Sequence, residues 1–247
     1  SLVTDNKALM AEQPDYIKQL MALPPKLRAA WLEGNWDVYE GQFFEEFRDD
    51  PEHYDDRKNT HVIRAFDPPR GWNIYRSFDW GYGKPFSCAW WAVDYDGVIY
   101  RILELYGCRE GEENEGVKWI DDKIFSEIAR IERDHPYLAG KTIRGVADPA
   151  IWDASGTGLS TADVAAKHKV YFDKAKNDRI PGWMQCHYRM AFDENGYPMM
   201  YVFDTCKAFI RTIPTLCYSE TVPEDLDTDQ EDHVADEFRY FCMSRPI

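Results

Sequence analysis

Apolar and polar positions follow two different rhythms along this chain, and the change falls near residue 72. Before it, Asp15-Tyr16-Ile17-Lys18-Gln19-Leu20-Met21 sets apolar residues at helical spacing, Pro24-Pro25 interrupts, and a second helical stretch runs from Lys26 to Leu32. Gly34, Gly41 and the acidic run Glu45-Glu46-Phe47-Arg48-Asp49-Asp50 then break the pattern. Residues 1–65 therefore read as a helical linker or docking segment, and residues 66–247 as the main domain.

After Trp72 the residues become aromatic and branched. Three strands are predicted over Ile74 to Phe78, Ser87 to Val93 and Val98 to Leu105, the last two joined by the hairpin turn Asp94-Tyr95-Asp96-Gly97. Val117 to Arg133 carries Ile120, Ile124, Ile128 and Ile131 on one side and charges opposite, so a helix is predicted there. A short buried strand follows from Thr142 to Ala147, ending at Asp148-Pro149, where proline stops ladder pairing. Ser160 to Asp163 has the form of a helix N-cap, and Val170-Tyr171-Phe172 of a fifth strand. Helical segments near Gly182 to Met190 and Thr205 to Ile213 flank a hairpin turning at Asp193-Glu194-Asn195-Gly196, and Glu231 to Met243 forms the final helix. The expected architecture is an α/β domain with a mixed five-stranded sheet flanked by helices and an added β-hairpin.

Composition narrows the picture. A chain of 247 residues with 44% hydrophobic content can bury a core, and no window approaches the roughly eighteen apolar residues of a membrane span. No signal-peptide pattern opens the sequence, so no membrane association and an intracellular place are expected. The six cysteines include no Cys-x-x-Cys pair, which argues against a zinc site or a disulfide framework. A formal charge of −15 argues against coating DNA by bulk electrostatics; any nucleic-acid contact needs a local basic strip. There is no Gly-x-x-x-x-Gly-Lys-Ser/Thr loop, so nucleotide hydrolysis by that route is excluded.

The candidate chemistry lies in carboxylates at element ends. Asp79 closes the first strand before Gly81, Gly83 and Pro85, and Asp148 repeats that situation on the fourth. Strand-end carboxylates on neighbouring strands can meet at the edge of an open sheet, and carboxylate oxygen suits Mg²⁺ or Mn²⁺. On the last helix His233, Asp236 and Tyr240 share one face, with Asp232 one turn before Asp236, while Val234, Phe238 and Phe241 form a separate apolar stripe.

With these residues in place the sequence resembles the C-terminal nuclease domain of the phage large terminase subunit, an RNase H-like (retroviral-integrase-like) fold. The matching segments are Phe78-Asp79-Trp80-Gly81-Tyr82, Leu103-Glu104-Leu105-Tyr106, Ala147-Asp148-Pro149, Asn177-Asp178-Arg179-Ile180-Pro181-Gly182 and Asp232-His233-Val234-Ala235-Asp236-Glu237-Phe238-Arg239-Tyr240. The resemblance implies a metal-dependent endonuclease of viral genome packaging. Asp79, Asp148 and Asp236 would hold two Mg²⁺ or Mn²⁺ ions with His233 beside them, Glu104, Asp153, Asp232 and His233 itself being weaker ligand candidates, and Lys167, Lys169, Lys174, Lys176, Arg179 and Arg189 would guide double-stranded DNA. It also implies an N-terminal packaging ATPase in the full-length chain, a portal and a small terminase subunit as partners, and a place in the cytoplasm of the infected host cell. The chain is then expected to be a fragment. The residues leave open another RNase H-like nuclease, such as a junction resolvase or ribonuclease, and a non-catalytic docking module of the packaging motor.

Overall fold

The computed structural model describes Met21 and residues 41–153 and 158–247; Met21 apart, the helices expected over 15–32 lie outside the described residues. Seven strands form one mixed sheet: β1 (Val62–Ile63), β2 (Asn73–Asp79), β3 (Ser87–Val93), β4 (Ile99–Tyr106), β5 (Arg144–Ala147), β6 (Phe172–Lys174) and β7 (Met200–Phe203). Their order is β1-β7-β4-β3-β2-β5-β6. The first three long strands make an antiparallel meander, β2 pairs with β5 in parallel, and β5 with β6 in parallel. The five expected strands are thus contiguous, and β7 and β1 extend the sheet beyond β4 through parallel pairing.

The helices are α1 (Asp121–Asp134), α2 (Thr161–Lys167), α3 (Arg179–Met190), α4 (Lys207–Thr212) and α5 (His233–Ser244). Along β2, side chains alternate between the two faces of the sheet. Phe78 meets Phe125 of α1 at a ring separation of 5.4 Å on one face. On the other, Trp91 of β3 stacks on Phe241 and Phe238 of α5 at 4.6 and 5.5 Å. Of the stripe expected for α1, Ile124 and Ile128 are buried against the sheet beside Phe125, whereas Ile120 precedes the helix and is exposed; the α5 stripe of Val234, Phe238 and Phe241 is buried on the opposite face. The expected N-cap at Ser160 forms, and its hydroxyl and the Asp163 carboxylate make a capping box at the start of α2.

Two features depart from the sequence reading. The turn at Asp193 to Gly196 forms, with Gly196 at a left-handed φ of 85°, but only its second arm is a strand: β7 pairs in parallel with β4, and no hairpin forms there. Residues 42–63 also join the same core. Phe43, Phe44 and Phe47 are buried there, and Phe43 packs on Trp183 and His187 of α3 at 5.5 and 5.1 Å. The His187 Nδ1 atom stands 2.6 Å from the Glu46 carboxylate, which holds this segment against α3.

Buried ion pairs brace both faces of the sheet. On the α5 side Arg101 donates to Glu237 at 2.6 Å, and both side chains are fully buried. Glu237 also accepts from the Ser77 hydroxyl, from the Ser87 hydroxyl at 3.3 Å and from the Trp91 indole at 3.2 Å. On the α1 side Arg76 is paired with Glu132 and stacks over the Phe172 ring at 4.4 Å. Among the described residues no helix is long and apolar enough to cross a membrane.

Candidate active site

Asp79 is the last residue of β2, and the chain must turn sharply after it. A Cβ at Gly81 would fall 2.3 Å from the Pro85 carbonyl oxygen, so only glycine fits the turn. Because β2 and β5 run parallel with Phe78 opposite Ala147, their next residues, Asp79 and Asp148, leave the sheet side by side. The Asp148 amide donates to the Phe78 carbonyl at 3.1 Å, and the Asp148 carboxylate accepts from the Ala150 amide at 3.0 Å, which anchors the short 3-10 turn Pro149–Trp152. The third carboxylate comes from α5, whose first turns cross the end of β2.

There His233 Nδ1 lies 3.2 Å from Asp79 Oδ2, and its Nε2 lies 3.2 Å from Asn114 Oδ1. Asn114 Nδ2 donates to the Gln230 carbonyl, so its oxygen must face the imidazole and Nε2 must donate. Nδ1 of the neutral ring is then an acceptor toward Asp79. Burial lowers the His233 pKa and favours that neutral ring. Asp79, only 5% exposed, is pushed well above the ordinary carboxylate range, first by burial and then by repulsion from Asp236 and Asp148. The contact is thus one between a ring that favours its neutral form and a carboxyl group whose charged form is disfavoured.

Asp236 is bound differently. Its Oδ1 accepts from Arg239 Nε and Nη2 at 3.0 and 2.8 Å, and Arg179 Nη1 straddles both of its oxygens at 3.3 and 3.4 Å. Asp232, buried one turn earlier, is raised to about 7 by burial and by Asp236. Among the described residues no three His, Cys, Asp or Glu side chains are already drawn together as a ligand set. What the site presents is a group of carboxylates whose mutual repulsion in a buried place a cation would relieve, and hard oxygen donors of this kind fit Mg²⁺ or Mn²⁺.

The raised Asp232 pKa gives a stability prediction with a definite sign. A carboxyl raised from its ordinary value near 3.8 to about 7 stabilises the fold below pH 4 and loses that contribution as pH climbs through 7. Asp232→Asn should therefore gain stability over the unaltered chain between pH 4 and 7 in EDTA, by a few kcal/mol at the plateau, as read by urea denaturation. A difference between the two proteins that does not change with pH would contradict this.

The remaining candidates separate. Glu104 is not near these carboxylates' partners: it accepts from Arg101 at 3.2 Å and from the Ala208 and Phe209 amides at 2.6 and 3.3 Å, so it caps α4. Asp153 is exposed after the Pro149–Trp152 turn. Lys167, Lys169, Lys174 and Lys176 are exposed along α2 and β6, with Lys174 resting over the Trp152 ring at 5.4 Å. Arg179 is committed to Asp225, whose two oxygens accept from its Nε at 3.0 and 2.9 Å, as well as to Asp236. Arg189 is 3% exposed and donates to the Gly97 and Arg245 carbonyls at 3.3 and 2.5 Å, so its charge supports the core instead of facing DNA. Sequence reasoning passed over Asn114, Asn177 and Arg239; for the last two the signal was present, since both stand in segments already matched to the nuclease domain.

The sequence matches no protein-family profile and no curated protein. Solved structures do match the fold. The large terminase of a thermophilic bacteriophage superimposes with a TM-score of 0.69 at 20% identity, covering 99% of this chain and 54% of that one. The P22 large terminase nuclease domain superimposes with a TM-score of 0.59 at 17% identity, covering 83% of this chain and 92% of that one. The architecture is thus RNase H-like, a mixed sheet flanked by helices. More particularly, the chain has the fold of a phage large terminase nuclease domain, and it spans about half the length of the thermophilic phage protein.

Proposed function

We propose that this chain is the metal-dependent endonuclease domain of a viral DNA-packaging terminase, cutting concatemeric double-stranded DNA. The observation that supports the reading is that Asp79 and Asp148 end neighbouring parallel strands, with His233 of α5 against the Asp79 carboxyl group and Asp236 one turn further along the same helix. Those three carboxylates would hold two Mg²⁺ or Mn²⁺ ions, which supply Lewis acidity for water activation and for stabilising the leaving oxygen of a phosphodiester. His233 Nδ1 orients the Asp79 carboxyl group, and Asn114 keeps the ring in the position that makes this contact possible. The exposed lysines 167, 169, 174 and 176 supply the local positive strip that an acidic protein needs to approach the phosphate backbone.

Under this reading a packaging ATPase domain belongs to the same full-length chain, with a portal and a small subunit as partners in the host cytoplasm; the likeness to a large terminase about twice as long supports it. Incubation of the purified chain with supercoiled plasmid tests the reading. Mn²⁺ should convert the plasmid to nicked and linear forms with little sequence preference, and EDTA should stop it. Intact plasmid across millimolar Mn²⁺, or cleavage confined to branched DNA or RNA hybrids, would remove the assignment.

A further inference from the structure

We infer that Arg239 is the positioning residue of Asp236, fixing one carboxylate oxygen so that the other is left for a cation; this rests on the reading of Asp236 as a metal ligand. Arg239 follows Asp236 by three residues on α5 and is 1% exposed. Its Nε and Nη2 both donate to Asp236 Oδ1, and Nη2 donates as well to Asn177 Oδ1 at 2.9 Å. Among the described residues, Oδ2 receives only the long contact from Arg179 Nη1 at 3.4 Å. An exposed pair at this spacing would be worth little, but a buried planar guanidinium gives direction as well as charge.

The surroundings are built for that guanidinium. It stacks over the rings of Trp183 and Tyr240 at 5.0 and 4.7 Å. The stem passes α3 at Gly182, where an added Cβ would meet Arg239 Cγ at 2.6 Å and Cδ at 2.9 Å. A glycine inside a helix costs about 1 kcal/mol relative to alanine, and here it opens the notch through which Arg239 reaches Asp236. Asn177 contributes from the chain just before α3 by accepting from Nη2, so it holds the guanidinium in the plane that reaches Asp236 Oδ1. Groups that hydrogen-bond a metal-binding carboxylate set its orientation and typically contribute 10- to 100-fold to metal affinity.

Mn²⁺ titration of the purified chain by calorimetry, with no DNA present, tests this. Arg239→Lys keeps the charge and loses the fork, and should raise the Mn²⁺ dissociation constant by about 10- to 100-fold. Asn177→Ala removes an exposed side chain without opening the core, and should weaken Mn²⁺ binding several-fold in the same direction while leaving the melting temperature in EDTA unchanged. It decides the matter should Arg239→Lys not fold. Wild-type Mn²⁺ affinity in both variants would make Arg239 a packing residue only and overturn the inference. An unaltered chain that binds no Mn²⁺ would instead remove the reading of Asp236 on which the inference stands.

Discussion

Replacing Asp79 by asparagine should lower Mn²⁺-dependent plasmid cleavage by at least ~10²-fold, because loss of an outer-shell partner already costs 10- to 100-fold and Asp79 would be a direct ligand. The substitution is isosteric and removes a carboxyl whose burial and repulsion from Asp236 and Asp148 disfavour its charged form. Its metal-free stability at neutral pH should therefore equal or exceed that of the unaltered chain, since a raised carboxyl pKa weakens the fold as pH rises. Activity and stability move in opposite directions, which separates a lost ligand from a lost fold. Cleavage at the unaltered rate, with normal melting, would sink the assignment of Asp79 to the metals.

The largest stability effect is expected away from the chemistry, on the inner face of α5. Glu237→Ala should cost about 3–5 kcal/mol, because it removes the fully buried carboxylate paired with Arg101 Nη1 and strips an acceptor from the Ser77 and Ser87 hydroxyls. Arg101 lies against the rings of Trp91 and Phe209 at 5.3 and 5.0 Å and keeps Glu104 on Nε, while Nη1 loses its acceptor. Guanidinium denaturation measures the loss. A cost below about 1 kcal/mol would mean that water reaches Arg101 when Glu237 is truncated. Because Glu237 immediately follows Asp236, the same pair holds α5 on the sheet and so sets where the Asp236 carboxylate stands.

How much of this could be read beforehand depended on whether the signal was local. Asp79 and Asp148 were legible because a strand pattern ends at each and Gly or Pro follows, and the α5 face bearing His233 and Asp236 was legible from periodicity of 3.6. Glu237 was not, since its partner Arg101 is 136 residues away and nothing nearby marks it as buried. Arg189 shows the same difficulty in reverse: in the sequence it is one more basic residue, and only the carbonyls of Gly97 and Arg245 reveal it as a buried brace. Glu104 stood on the right kind of strand, but its carboxylate points to the open amides at the start of α4. The edge strand β1, two residues long, carries no periodicity at all and exists because β7 offers it a parallel ladder. Likewise the expected hairpin failed as a pairing pattern because the partner that β7 finds is β4, which is distant in sequence.

A crystal soaked in Mn²⁺, with anomalous scattering recorded at the manganese edge, tests the central claim most directly. The account predicts two peaks at the end of β2, about 2.1 Å from carboxylate oxygens of Asp79, Asp148 and Asp236, with the His233–Asp79 contact lengthened or broken. Peaks only elsewhere on the acidic surface, or none while Asp79 keeps its bond to His233, would contradict it.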